Sequence, residues 1–232
     1  MGDASCLPGS GRCTGTVSCV VVDPGHPSEI SDGRTSVHGT SELVVTWAVG
    51  QRATAMLRQR GIDVVLTRGQ QDSIVTNRAR AEIANCSGAT LFVRLHADYA
   101  PTRGFSVYYP DREGEYGAKR GPSVRIRTLS GRAARAFYSA MVIAMVLSDV
   151  PGRGVRSETE TAIGARQGAL TGSIFAEIPV ITVEMVTLSD ARDAAFVSSE
   201  RGVELLSKAI AAGVVAALRD RAPQRLQTPR VE

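Results

Sequence analysis

Val17-Ser18-Cys19-Val20-Val21-Val22-Asp23-Pro24-Gly25-His26 is the stretch on which the fold turns. Its first part is a compact, largely β-branched run, and it ends abruptly at Asp-Pro-Gly. Such a run, stopped by turn residues, reads as a buried strand over 17–22. Outward from it the pattern alternates. From Ser41 onward Leu43, Val44, Trp47, Ala48, Ala55 and Leu57 keep a helical spacing, with Thr40 or Ser41 as N-cap and Gly61 at the end. Val64-Val65-Leu66 reads as a second strand and residues 73–85 as a second helix carrying Ile74, Ala81 and Ile83. Leu91-Phe92-Val93-Arg94-Leu95 reads as a third strand that ends at His96, and Phe105 to Tyr109 as a fourth.

A long helix over about 126–148, a Gly-rich stretch from Pro151 to Gly172, a strand at 180–185 and a last helix over about 200–220 complete the series. Strands alternating with helices predict an α/β fold: one domain, with a mostly parallel, twisted sheet of about five to six strands and helices on both faces. Residues 1–15 are expected to be a flexible leader, 16–221 the domain, and 222–232 a mobile polar tail with Pro223 and Pro229. No internal repeat or domain linker is visible. The segment from Asp111 to Pro122 has mixed charge and reads as a surface loop, with a lid as the alternative.

Composition narrows the function classes. The chain is 43% hydrophobic and 22% charged, ordinary values for a globular protein, and its aromatic share of 5% leaves Val, Ile, Leu and Ala to build the core. Its net charge of +4 comes almost wholly from Arg, since Lys119 and Lys208 are the lysines. That bias has a compositional reading, and a functional one as a surface drawn to an anionic polymer. No run of five like charges marks a nucleic-acid tail. No apolar stretch reaches the roughly 18 residues a membrane span needs. The N-terminus lacks the basic start and apolar middle of a signal peptide, and Met1-Gly2-Asp3 looks like the start of a trimmed chain. Cys6, Cys13, Cys19 and Cys86 allow two disulfides in three connectivities, or buried thiols, and have no paired C-x-x-C spacing.

The chemistry gathers where strands end. In open α/β sheets ligands bind beyond the carboxyl ends of the strands. His26 follows the first strand, His96 ends the third, Glu184 lies late in the strand 180–185, and Glu42 stands in the first turn of a helix. Two His and a Glu form a catalytic zinc set that keeps one position open for water or substrate. A second carboxylate must then move a proton, and Glu184 is the candidate. Each residue also has a structural reading: a hydrogen-bonded His at a strand end, or, for Glu42, a charge favoured by the helix dipole. His38, in a polar loop, reads as solvated. No G-x-S-x-G elbow supports a serine triad.

Val20-Val21-Val22-Asp23-Pro24-Gly25-His26 resembles the opening of the zinc-dependent N-acetylmuramoyl-L-alanine amidases of bacterial cell walls. The resemblance continues in order through Glu42, Leu66-Thr67-Arg68, Arg80 to Asn85, Phe92-Val93-Arg94-Leu95-His96, Gly104 to Tyr109, and Pro179 to Glu184. It covers about residues 17–220. It implies that His26, Glu42 and His96 hold Zn2+, that Glu184 is catalytic, and that Arg68 and Arg80 are structural. It also implies cleavage of the amide between the lactyl group of N-acetylmuramic acid and the L-alanine of the stem peptide. Peptidoglycan or a muropeptide would be the substrate, and the site of action extracytoplasmic, after removal of a signal peptide. The alternatives are a carboxypeptidase-like zinc exopeptidase and a non-catalytic wall-binding or regulatory homologue. Departures from the family pattern are Pro27-Ser28 after the first His, Arg94 for a small Ser, Asp98 for Asn, and Met185-Val186 after Glu184. Val186 does not favour positive φ, so the loop beside Glu184 is expected to differ in shape.

Overall fold

The computed structural model describes residues 11–14 and 18–221. Most of the expected leader, Cys6 within it, and the tail at 222–232 lie outside those residues. Strand β1 (Cys19–Pro24) is followed by two short pieces, β2 (Ser36–Val37) and β3 (Thr40–Ser41), and by helix α1 (Glu42–Arg58). Then come β4 (Asp63–Leu66), α2 (Asn77–Cys86), β5 (Leu91–Asp98) and β6 (Phe105–Tyr109). A small hairpin of β7 (Gly114–Tyr116) and β8 (Lys119–Gly121) leads into α3 (Val124–Ala144) and β9 (Gly152–Ser157). A 3-10 turn (Glu158–Glu160), α4 (Ala162–Gln167) and α5 (Thr171–Ile174) precede β10 (Val180–Thr187). Helices α6 (Ala191–Ser198) and α7 (Glu200–Arg221) close the described chain.

The expected single α/β domain is what forms. Six strands make one sheet in the order β4-β1-β5-β10-β6-β9. The first four are parallel, and β6 pairs antiparallel to β10. The alternation of side chains along a strand sorts the residues by face. Val20, Val22, Val93, Leu95, Ile181 and Val183 pack with Val49 and Leu57 of α1, Phe137 of α3 and Ile210 of α7. Val21, Phe92 and Val180 face Ala81 and Ala84 of α2. Along the α2 side, however, the residues nearer the carboxyl ends are polar: Asp23, Arg94, His96, Thr182 and Glu184. Apolar helices seal one face completely, while the other opens into a functional floor.

Several expected elements shift. Strand β9 and helix α6 were not anticipated: β9 lies in the stretch read only as Gly-rich, and Gly152-Arg153-Gly154 offers neither alternation nor an apolar run. The 111–122 segment is not a plain loop, since β7 and β8 pair within it. Val186 adopts no positive φ and is buried as β10 runs on to Thr187, with a register irregularity after Glu184. The chain thus passes Glu184 as strand, as a β-branched residue prefers. Cys13 and Cys19 form a disulfide, and Cys86 is disulfide-bonded too. Cys13 is further tied by its N–H donating to Ser87 O at 2.9 Å.

Candidate functional site

At the carboxyl ends of β1, β5 and β10 a cavity of about 330 Å³ opens, and the four expected residues His26, Glu42, His96 and Glu184 all line it. Each arrives from a different element. His26 stands just past β1, and two buried guanidiniums grip its loop. Arg80 donates to Pro24 O (2.9 Å) and Pro27 O (2.8 Å), and Arg68 donates to Pro24 O (3.0 Å) and Gly25 O (3.2 Å). Thr46 of α1 adds a bond to Gly25 O at 2.9 Å. Arg68 and Arg80 thus brace the loop that carries His26, and Arg80 also lines the cavity. Arg80 also pairs with the buried Asp23, which Arg94 reaches from β5 at 3.2 Å. Burial alone would raise the Asp23 carboxyl, but these two charges hold it far below the usual range.

Glu42 is the hub. Its carboxylate lies 3.1 Å from His26 Nε2 and 2.8 Å from His96 Nδ1, and it accepts from Ala97 N–H at 3.1 Å. Burial pushes this carboxyl up, and the bonds from His26 and His96 outweigh it and bring it down to about 2. His26 Nδ1 donates to Ser31 O at 3.0 Å, which leaves Nε2 to face the cavity. Burial lowers His26, yet Glu42 raises it above its ordinary value, whereas for His96 burial prevails and lowers it. One ligand-type atom from each of the three side chains falls within 4.8 Å of the others. The set fits a metal ion chemically: two imidazoles and a carboxylate kept ionised, the form that ligates.

Glu184 is the register partner of His96 across β5 and β10, so its side chain emerges beside the three. Its Oε2 is buried and has no hydrogen-bond partner among the described residues. Burial first, and then the charges of Glu42 and Asp98, raise it well above the ordinary carboxylate range. Asp98 pairs with Arg153 at 2.8 Å. Arg153 also donates to Ser106 Oγ at 3.1 Å, and Ser106 is Glu184's partner on β6. Sequence reading missed Arg153, because nothing in a Gly-rich run marks its arginine. It likewise missed the cavity wall of Thr161, Ala162, Ile163, Leu170 and Thr171, supplied by the segment between β9 and β10. The β7–β8 hairpin, the alternative lid, does not line the cavity, and His38 stays exposed with Nε2 3.3 Å from Ser189 O.

Known proteins resemble this chain in sequence and fold. The 85 residues that align with N-acetylmuramoyl-L-alanine amidase AmiA of Salmonella typhimurium are 40% identical, and cover 37% of this chain and 29% of that protein. The chain thus matches under a third of that relative's length. N-acetylmuramoyl-L-alanine amidase Rv3717 of Mycobacterium tuberculosis is 27% identical over 187 residues, 79% of this chain and 71% of that protein. The solved structure of N-acetylmuramoyl-L-alanine amidase AmiC2 of Nostoc punctiforme superposes with a TM-score of 0.68 at 26% identity, covering 87% of this chain and 97% of that one. The family described as N-acetylmuramoyl-L-alanine amidase matches residues 20–216, every residue of the cavity included, and the chain belongs to that family.

Proposed function

We propose that the protein hydrolyses the amide between the lactyl group of N-acetylmuramic acid and the L-alanine of the peptidoglycan stem peptide, with Zn2+ held by His26, Glu42 and His96. The observation that carries the reading is the convergence of those three side chains beside a buried, unpartnered carboxyl oxygen of Glu184. When bound, the zinc ion supplies Lewis acidity toward the carbonyl and lowers the pKa of water toward about 7. The chain's own residues do the rest. Glu42 keeps its ionised form and its orientation through Ala97 N–H. The bond of His26 Nδ1 to Ser31 O fixes the tautomer that presents Nε2.

Glu184 accepts the proton of the attacking water at its free Oε2 and delivers it to the leaving nitrogen of L-alanine. Burial holds its proton affinity above that of an ordinary carboxylate, and its buried Oε2 stands beside the three ligand side chains, where one group can serve both halves of that transfer. The substrate lies in the cell wall, so the protein acts outside the cytoplasm. The Cys13–Cys19 disulfide suits such an oxidising compartment. Among the described residues no helix is long and apolar enough to cross a membrane.

A defined muropeptide digested with the zinc-loaded protein tests this by mass spectrometry. The expected products are the N-acetylmuramic acid glycan and an intact peptide beginning with L-alanine. Glu184→Gln should slow their release by about 10²–10⁴-fold while still binding zinc. Removal of terminal residues with the lactyl amide intact would overturn the substrate assignment, and full activity in Glu184→Gln would overturn the mechanism.

A further inference from the structure

Two polar groups on the cavity wall sit side by side with donor capacity unused. Arg94 on β5 and Thr182 on β10 are register partners, so they leave the same face of the sheet as neighbours. Both line the cavity, and only 3% and 2% of their surfaces are exposed. The hydroxyl of Thr182 is buried and makes no hydrogen bond among the described residues. Arg94 commits Nε to Asp23 and Nη2 to Asn77, and Nη1 bonds to none of the described residues. Buried polar groups are nearly always partnered. An orphan hydroxyl next to a guanidinium with a spare N–H therefore marks the place of an absent acceptor.

Charge points the same way. Asp23 is one carboxylate facing two guanidiniums, Arg80 and Arg94. Glu158, within electrostatic reach of Arg94, offsets only part of that charge near neutral pH, because burial pushes its carboxyl up to about 7. The wall thus keeps an excess of positive charge. Gly172 packs against the same guanidinium: a Cβ there would stand 2.9 Å from Nη1 and 3.0 Å from Cζ, so only a glycine leaves the group in place.

Position identifies the acceptor. Arg94 precedes His96, and Thr182 precedes Glu184, by one alternation of the strand, about 7 Å along the sheet. Two residues of extended peptide span the same distance. We propose that Arg94 and Thr182 form a carboxylate subsite that reads the free carboxylate of the residue following L-alanine in the substrate peptide. Nη1 and Oγ1 each donate a hydrogen bond to it. The proposal rests on the amidase reading and adds a specificity: stem peptides carrying that carboxylate free are favoured over those in which it is amidated.

Calorimetric titration of the full chain tests it with two synthetic peptides. Both begin with L-alanine followed by γ-linked glutamate; in one the α-carboxylate is free, and in the other it is the amide. The wild type should bind the acid at least about tenfold more tightly, the worth of one charge-assisted hydrogen bond. Thr182→Val removes a hydroxyl that bonds to none of the described residues, so it should melt no lower than wild type and lose a several-fold part of the preference. Arg94→Gln should abolish the preference, and Arg94→Lys should restore some of it. Equal binding of the two peptides by wild type overturns the subsite, and so does full preference in Thr182→Val. Because binding is read without hydrolysis, failure here leaves muropeptide cleavage untouched, and failure of cleavage leaves the measured preference standing.

Discussion

His26 holds a backbone conformation that side chains rarely adopt, with φ at +56°. Such a residue persists only where its surroundings over-determine it, and the surroundings here are specific. Arg68, Arg80 and Thr46 hold the carbonyls on either side, and Ser31 O holds the ring. Gly33 completes the nest: its φ is +69°, and a Cβ on it would lie 2.6 Å from His26 Cβ and 2.7 Å from Cγ. Gly33→Ala should therefore strain its own backbone by roughly 1–2 kcal/mol and displace the imidazole. We expect zinc affinity to fall by at least about tenfold, an amount equal to about 1.4 kcal/mol. Titration against a competing chelator measures it; an unchanged affinity would mean that His26 is not a ligand or that the nest gives way without moving it. Asp23, three residues earlier, is the anchor of the same clamp, and its place inside the sheet explains why a charged residue follows an unbroken run of valines.

Elements carry the next level of control. The 3-10 turn of Glu158–Glu160 is pinned to α5 through Glu158, which accepts from Leu170 N–H at 2.8 Å and Ser173 Oγ at 2.6 Å. This pin holds the cavity wall in place, and burial raises its carboxyl from the usual 4.5 to about 7. Between those two values the folded state binds more protons than the unfolded chain, so stability must fall as pH rises through that window. The full loss is at most about 3 kcal/mol. Glu158→Gln keeps an acceptor for Leu170 and can donate to Ser173, so denaturant melts of the variant should be flatter from pH 4.5 to 7. Parallel slopes for variant and wild type would show that Glu158 does not titrate there. The sequence revealed this part of the molecule least. Strands β1, β5 and β10 were legible because buried parallel strands are written as apolar runs, and their polar ends made His96 and Glu184 stand out. The wall between β9 and β10 is written in Gly, Thr, Ala and Arg, and its form depends on contacts with Glu158 and Arg94 that no local pattern encodes. Arg94 itself was visible only as a departure from the amidase pattern. Its use depends on Thr182, 88 residues away in sequence and adjacent in the sheet.

At the scale of the whole molecule, the proposed metal ties together parts that fold from distant sequence. His26 comes from the loop after β1, Glu42 from the first turn of α1, and His96 from β5, 54 residues beyond Glu42. The hydrophobic core does not run through this site: the helices α1, α3 and α7 seal the opposite face of the sheet. In addition, the Glu42 carboxylate lies within bonding distance of both imidazoles and ties the three elements directly. The metal-free chain should thus remain folded, unlike a small zinc domain whose core is the metal. Zinc that binds only the folded state still adds stability by mass action, about 2.7 kcal/mol when present at a hundred times its dissociation constant. For a domain of this size each kcal/mol is worth about 2–4 °C, so chelation should lower the melting temperature by roughly 5–10 °C. His96→Ala removes a ligand, and its melting temperature should not respond to zinc or chelator. A wild-type melt indifferent to both would remove the metal from the proposal, while complete unfolding on chelation would mean that the bridge at Glu42 cannot hold the three elements together.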